Sequence, residues 1–194
     1  MNNITPTGVK YYAWAFTLKY LLKWYYSLVD ATLAYAVSAY EIHKSYGLKD
    51  EQIFVSCNSP DTESLLRERQ KIESEKTELN YNPFRIIHIG RLVKWKKVDL
   101  LIKAMVPLMK EFQNSELTII GTGPEEQNLR NLAEQLGISG RINFAGSIYK
   151  EELSKHIMSS GIYVLAGMGG LSINEAMAFG KPVICSVCDG TEKT

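Results

Sequence analysis

The stretch GIYVLAGMGGLSINEAMAFGKPVICSVCDG, Gly161 to Gly190, decides how the chain is read. It gives a strand (Ile162 to Leu165), a glycine-rich turn (Gly167, Gly169, Gly170), a helix (Leu171 to Phe179) and a second strand opened by Gly180-Lys181-Pro182. A glycine pair at the mouth of a helix lets backbone N–H groups approach an anion, and the helix dipole favours negative charge there. A phosphate is the default ligand of such a turn. Glu175 is the only acidic residue in an otherwise apolar and small helix, placed to accept hydrogen bonds from a pair of ligand hydroxyls. The alternative is a surface glutamate that the dipole stabilises near a helix start.

Working back from this stretch, short apolar strands alternate with amphipathic helices from Phe84 onward. Strands are expected at Phe84–Ile89, Leu117–Ile120, Ile142–Phe144, Ile162–Leu165 and Val183–Cys185. Helices are expected at Val98–Phe112, Glu125–Leu136, Glu151–Ser159 and Leu171–Phe179. This order implies an α/β fold, a doubly wound parallel sheet covered on both faces. Its ligand belongs beyond the carboxyl ends of the strands.

The strand-to-helix turns are therefore the candidates. Gly90-Arg91 follows the first strand, with Lys96 five residues after Arg91. A guanidinium fork and an ammonium converging on one turn suit a diphosphate, whereas Lys94 and Lys97 read as surface lysines. Gly121-Thr122-Gly123-Pro124 follows the second strand and lacks the third glycine of a dinucleotide fingerprint, Glu126 standing in its place. It reads as a tight turn near the ligand. Ala145-Gly146-Ser147-Ile148 follows the third strand, where a nucleobase could lie against backbone or the chain simply turns. No D-x-D pair is present, and His43, His88 and His156 are too scattered for a ligand set, so no metal site is expected. His88, inside the first strand, reads as a satisfied core histidine.

Residues 1–61 give an aromatic helix (about Val9–Leu28), an apolar run of strand type (Ala31–Val37), a helix (Ala39–Tyr46) capped by Ser38 and closed by Gly47, and a strand (Ile53–Val55). Residues 62–83 alternate charges densely and read as a solvated helix and linker between domains. Residues 84–194 then form the nucleotide-binding domain. A net charge of +1 and a pI near 7.7 give no electrostatic case for nucleic acid. Three cysteines, of which Cys185 and Cys188 form an isolated C-x-x-C, suit reduced cytosolic thiols. Lysines and an aspartate interrupt Tyr11–Val37, which argues against a transmembrane helix. The aromatic and basic composition of 11–28 suits either packing inside a larger domain or peripheral contact with a membrane.

Together GRLVKWKKVDLLIKA, LTIIGTGPEEQNL, RINFAGSI and GGLSINEAMAFGKPVICS resemble the donor-binding domain of glycosyltransferase family 4, retaining nucleotide-sugar-dependent enzymes of GT-B fold. IFVSCNSPD, Ile53 to Asp61, is similar to the end of that family's first domain. The resemblance implies transfer of a sugar from a nucleoside-diphosphate sugar to a glycan or lipid-linked acceptor, without a metal or other cofactor. It implies that Arg91 and Lys96 bind the diphosphate, that backbone at Gly169, Gly170 and Leu171 adds N–H donors, and that Glu175 holds the ribose hydroxyls. Gly90, Gly121, Gly123 and Gly146 would complete the donor site. Catalysis would then rest on Arg91, Lys96 and Glu175, in a cytoplasmic enzyme that either stays free or meets the membrane face through residues 11–28.

Two departures stand out. The family's E-x7-E motif places its first glutamate, which faces the donor sugar, where this chain has Gly167. Most of the family's first domain would precede Met1, and the last helices of its donor domain would follow Thr194. A fragment or truncated gene product, incomplete at both ends and weakly active alone, is therefore expected. The competing readings are a non-catalytic nucleotide-sugar-binding remnant and a nucleotide-sugar epimerase of the same architecture.

Overall fold

In the computed structural model the described residues are 6–34, 37–56, 59–75 and 79–187, with backbone alone for 6–15 and Ser38. The chain divides into two units, Met1–Asn58 and Ser59–Thr194.

The first unit holds α1 (Pro6–Tyr26), β1 (Thr32–Ala34), α2 (Val37–Ser45) and β2 (Ile53–Val55). β1 and β2 pair in parallel, Thr32 opposite Ile53. The Tyr26 ring stacks on Tyr46 at 5.2 Å between centroids and lies against His43, whose Nδ1 is 2.9 Å from Thr32 Oγ1. Phe16, Tyr20, Trp24 and Leu28 are exposed within this unit. The expected strand over Ala31–Val37 is shorter. α2 already begins at Val37, so Ser38 lies inside the helix instead of capping it, and residues 35 and 36 fall outside the description.

The second unit comprises α3 (Thr62–Ser74), β3 (Asn82–Ile89), α4 (Val98–Glu111), β4 (Glu116–Ile120), α5 (Glu126–Gln135), β5 (Ile142–Gly146), α6 (Lys150–Met158), β6 (Ser160–Leu165), α7 (Ser172–Ala178) and β7 (Val183–Cys185). Five parallel strands run in the order β5-β4-β3-β6-β7. β-Branched runs such as Arg85-Ile86-Ile87-His88-Ile89 suit strands buried on both faces, and neighbouring side chains enter opposite cores. Ile86 packs with Leu101, Ile102, Met105 and Leu117 beneath α4 and α5. Ile87 packs with Tyr163, Leu165, Ile157 and Phe179 beneath α6 and α7. The chain leaves β3 toward β4 and β5, then crosses back to β6, so the sheet's direction of growth reverses between β3 and β6.

The charged helix expected after residue 61 is present as α3 (Thr62–Ser74), mostly exposed but docked along one side. α3 packs on α6 and α7, buries Ile72 to 1% exposure, and bridges Lys71 to Glu151 at 3.0 Å. Asp61 caps it by accepting from the Ser64 N–H at 3.0 Å. The charges that dominate this segment conceal the few apolar positions: Leu65 joins the core cluster beneath α6 and α7, and Ile72 is buried. β3 also begins two residues before Phe84, because the Asn82 N–H donates to Ser159 O at 3.0 Å.

The turn after β4 is pressed onto the turn after β3. The Gly90 N–H donates to Ile120 O at 2.9 Å and the Leu92 N–H to Thr122 O at 3.0 Å. Gly121 has φ of 128°, and a Cβ on it would overlap the Gly90 carbonyl. Gly121→Ala is therefore expected to lower stability by about 2 kcal/mol or more in urea unfolding of the chain. Gly140→Ala, whose added carbon would meet no atom within 4 Å outside its own local backbone, should be near neutral; equal effects would contradict the packing described.

Candidate active site

At the carboxyl ends of β3, β4 and β5 lies a cavity of about 570 Å³, lined by Gly90, Arg91, Gly121, Gly123, Ser147 and Glu175 among others. It lies beyond the carboxyl ends of the strands, the usual ligand position in a doubly wound fold, and reaches across the reversal to Glu175 on the helix after β6. Five of the sequence-derived residues thus meet in one cavity. Gly146 supports its floor by accepting the Gly121 N–H at 2.7 Å. Arg91 is exposed, and its guanidinium makes no hydrogen bond or ion pair among the described residues. Glu175 enters from α7, half-buried, and loss of solvent raises its carboxyl pKa above the ordinary value.

Lys96, Gly169 and Gly170 form a second cluster beside the first. The Lys96 ammonium donates to Met168 O at 2.8 Å and to Gly169 O at 2.7 Å. The glycine turn thus offers carbonyls to a cation, where the sequence pattern suggested amides facing an anion. The amides of Gly170 and Leu171 nevertheless donate to no backbone acceptor among the described residues. Leu171 precedes α7, which at seven residues is shorter than expected. The clusters adjoin: a Cβ on Gly90 would lie 3.9 Å from Lys96 Cε.

Several contributors escape sequence reasoning. Thr122 and Tyr149 also line the cavity, Tyr149 being 73% exposed. Tyr163 is buried, its hydroxyl 2.7 Å from Ser172 Oγ at the start of α7, and desolvation pushes its pKa up to about 12. A lone tyrosine in a strand carries no signal of that link. Cys185 is exposed with a free thiol, whereas Cys57 and Cys188 lie outside the described residues. Among the described residues no group of three His, Cys, Asp or Glu could hold a metal ion, and no helix is long and apolar enough to cross a membrane.

Residues 69–194 match the family described as Glycosyl transferases group 1. The chain belongs to that family. It is 37% identical over 106 residues to an uncharacterized glycosyltransferase of Haemophilus influenzae, covering 53% of this chain and 30% of the relative. It is 28% identical over 145 residues to a GDP-mannose-dependent alpha-(1-6)-phosphatidylinositol monomannoside mannosyltransferase of Mycobacterium tuberculosis, covering 70% of this chain and 36% of the relative. The match thus spans about a third of the length of these relatives. Among solved structures, Anabaena HepE in complex with UDP and glucose superposes with a TM-score of 0.67 at 20% identity, covering 90% of this chain and 50% of that one. The second unit is the Rossmann-like half of a GT-B glycosyltransferase fold.

His88 differs from the satisfied core histidine expected from sequence. It is fully buried on β3, and its Nδ1 lies 3.0 Å from Val164 O. A carbonyl only accepts, so Nδ1 carries the proton and Nε2 is an unprotonated acceptor, without a partner among the described residues. Burial, aided by the Lys96 charge, lowers its pKa to about 4 from 6.5. The unfolded chain takes up this proton below pH 6.5 and the folded chain only near 4, so stability should fall as pH drops through that window. A loss on the order of 3 kcal/mol is expected, read as urea midpoints between pH 7 and 4. An equally steep fall in His88→Gln would contradict the assignment.

Proposed function

We propose that this chain provides the donor-binding half of a family 4, retaining glycosyltransferase that moves a hexosyl group from a nucleoside-diphosphate sugar to a glycan or lipid-linked acceptor. One observation carries the reading: Arg91 and Glu175 share a single cavity at the strand ends, and the Lys96 side chain adjoins its Gly90 wall. Arg91 supplies a fork for the diphosphate oxygens and Lys96 a neighbouring point charge. Both would stabilise the negative charge that grows on the leaving diphosphate as the glycosidic bond breaks. Glu175 accepts hydrogen bonds from the ribose hydroxyls, and the Ser147–Tyr149 turn receives the nucleobase. The mycobacterial relative uses GDP-mannose and HepE was crystallised with UDP and glucose. Those names support a nucleotide-sugar donor, and the phosphatidylinositol mannoside in the first supports a lipid-linked acceptor. The exposed aromatic side chains of α1 suit contact with the membrane that carries such an acceptor.

Calorimetry with UDP and GDP tests the donor site directly. Arg91→Ala should weaken the preferred nucleotide by roughly 10- to 100-fold, the effect of one charge-assisted contact, and unchanged affinity would refute the role given to Arg91. Acidification should also weaken binding, because the raised Glu175 pKa removes the accepting carboxylate sooner than at an ordinary glutamate. In Glu175→Gln that part of the pH dependence should vanish.

A further inference from the structure

The glycine at position 167 is held against backbone. A Cβ there would overlap the Trp95 carbonyl oxygen and the Lys96 carbonyl carbon, and would lie 2.6 Å from Lys96 Cα. None of these atoms can swing aside as a side chain could; the whole turn at 94–97 would have to move. The contact is reinforced on each side. The Met168 N–H donates to Trp95 O at 3.0 Å, and the Lys96 ammonium donates to the Met168 and Gly169 carbonyls. From the end of β7, the Ser186 hydroxyl donates to Gly167 O at 3.3 Å. The turn after β3 and the turn after β6 are therefore interlocked across the two strands where the sheet reverses.

We propose that Gly167 is a positioning residue, whose bare Cα lets these turns interlock so that the Lys96 ammonium is fixed beside the donor cavity for diphosphate recognition. The space that a side chain at 167 would enter is filled by the backbone of Trp95 and Lys96. The lack of a carboxylate at 167 is thus coupled to the placement of the cation. Lysine carries its charge on a flexible four-carbon stem, and holding it in one place costs rotamer entropy. The two carbonyls and the interlocked backbone meet that requirement before any ligand arrives. A side chain at 167 separates the turns, releases the ammonium and removes the preference for a second phosphate while leaving nucleoside contacts in place.

This inference rests on the donor-site reading above, and its test separates the two. Calorimetry compares UDP with UMP, and GDP with GMP, on the wild-type chain, Gly167→Ala, Lys96→Ala and the double variant. Wild type should favour the diphosphate, and Gly167→Ala should lose at least tenfold of that preference with monophosphate affinity within threefold. In the Lys96→Ala background Gly167→Ala should add less than threefold. A retained preference in Gly167→Ala, or fully multiplicative losses, overturns the proposal. Hydrogen exchange provides an arm that does not need Gly167→Ala to fold: in Lys96→Met the Met168 amide should exchange at least tenfold faster than in wild type. Unchanged exchange overturns the interlock. A wild-type chain that binds no nucleotide overturns the donor-site reading and the diphosphate role with it, while the exchange result still decides whether the turns are locked.

Discussion

The backbone of residues 90–96 is pressed on two sides by other backbone. Gly121 and Gly123 meet Gly90 and Leu92 on one side, and Gly167 meets Trp95 and Lys96 on the other. Contacts of this kind tolerate no Cβ, so glycine at these places is a steric requirement of the assembly. The central strand β3 thereby delivers its following turn between the turns after β4 and β6, the neighbours on either side of it in the sheet. Everything assigned to ligand binding in the second unit borders that junction.

Electrostatics follow from the same constraint. Two cations, Arg91 and Lys96, stand at the ends of one short turn, yet their surroundings differ. Arg91 is exposed at the cavity, while Lys96 is tied to two carbonyls and its field reaches His88 beneath it. The histidine stays neutral because burial and that neighbouring charge both oppose its protonation. Its Nδ1–H in turn holds β3 to the Val164 carbonyl of β6. A neutral bridge under this basic turn avoids a further positive charge beneath Lys96.

The fold was legible because its signals are local and repeated. Strands such as Leu117–Ile120 are short apolar runs, helices such as Val98–Glu111 carry apolar residues at helical spacing, and the alternation between them leaves few topologies open. Arg91 and Glu175 could be singled out because each stands at an informative place, one just after a strand and the other alone in an apolar helix. What remained hidden depends on the meeting of distant segments. The charged surface of α3 obscured its packing, since Leu65 and Ile72 are too few to show a clear period. The partners of Lys96 lie more than seventy residues away, and no local pattern states that a lysine will meet carbonyls. Gly167 looked like a missing glutamate because sequence records the side chain that is absent, whereas the structure shows the backbone that occupies its place.

A nucleoside diphosphate is proposed to occupy the cavity at the carboxyl ends of β3, β4 and β5, with Glu175 of α7 in its wall. Amide chemical shifts mapped during titration of the chain with UDP and with GDP would locate the bound nucleotide. Saturable shifts are expected at Gly90, Arg91, Gly121, Gly123, Ser147 and the first turn of α7. Shifts confined to another surface, such as the groove between α4 and α5 lined by Asp99 and Asn128, or no saturable shift with either nucleotide, would contradict it.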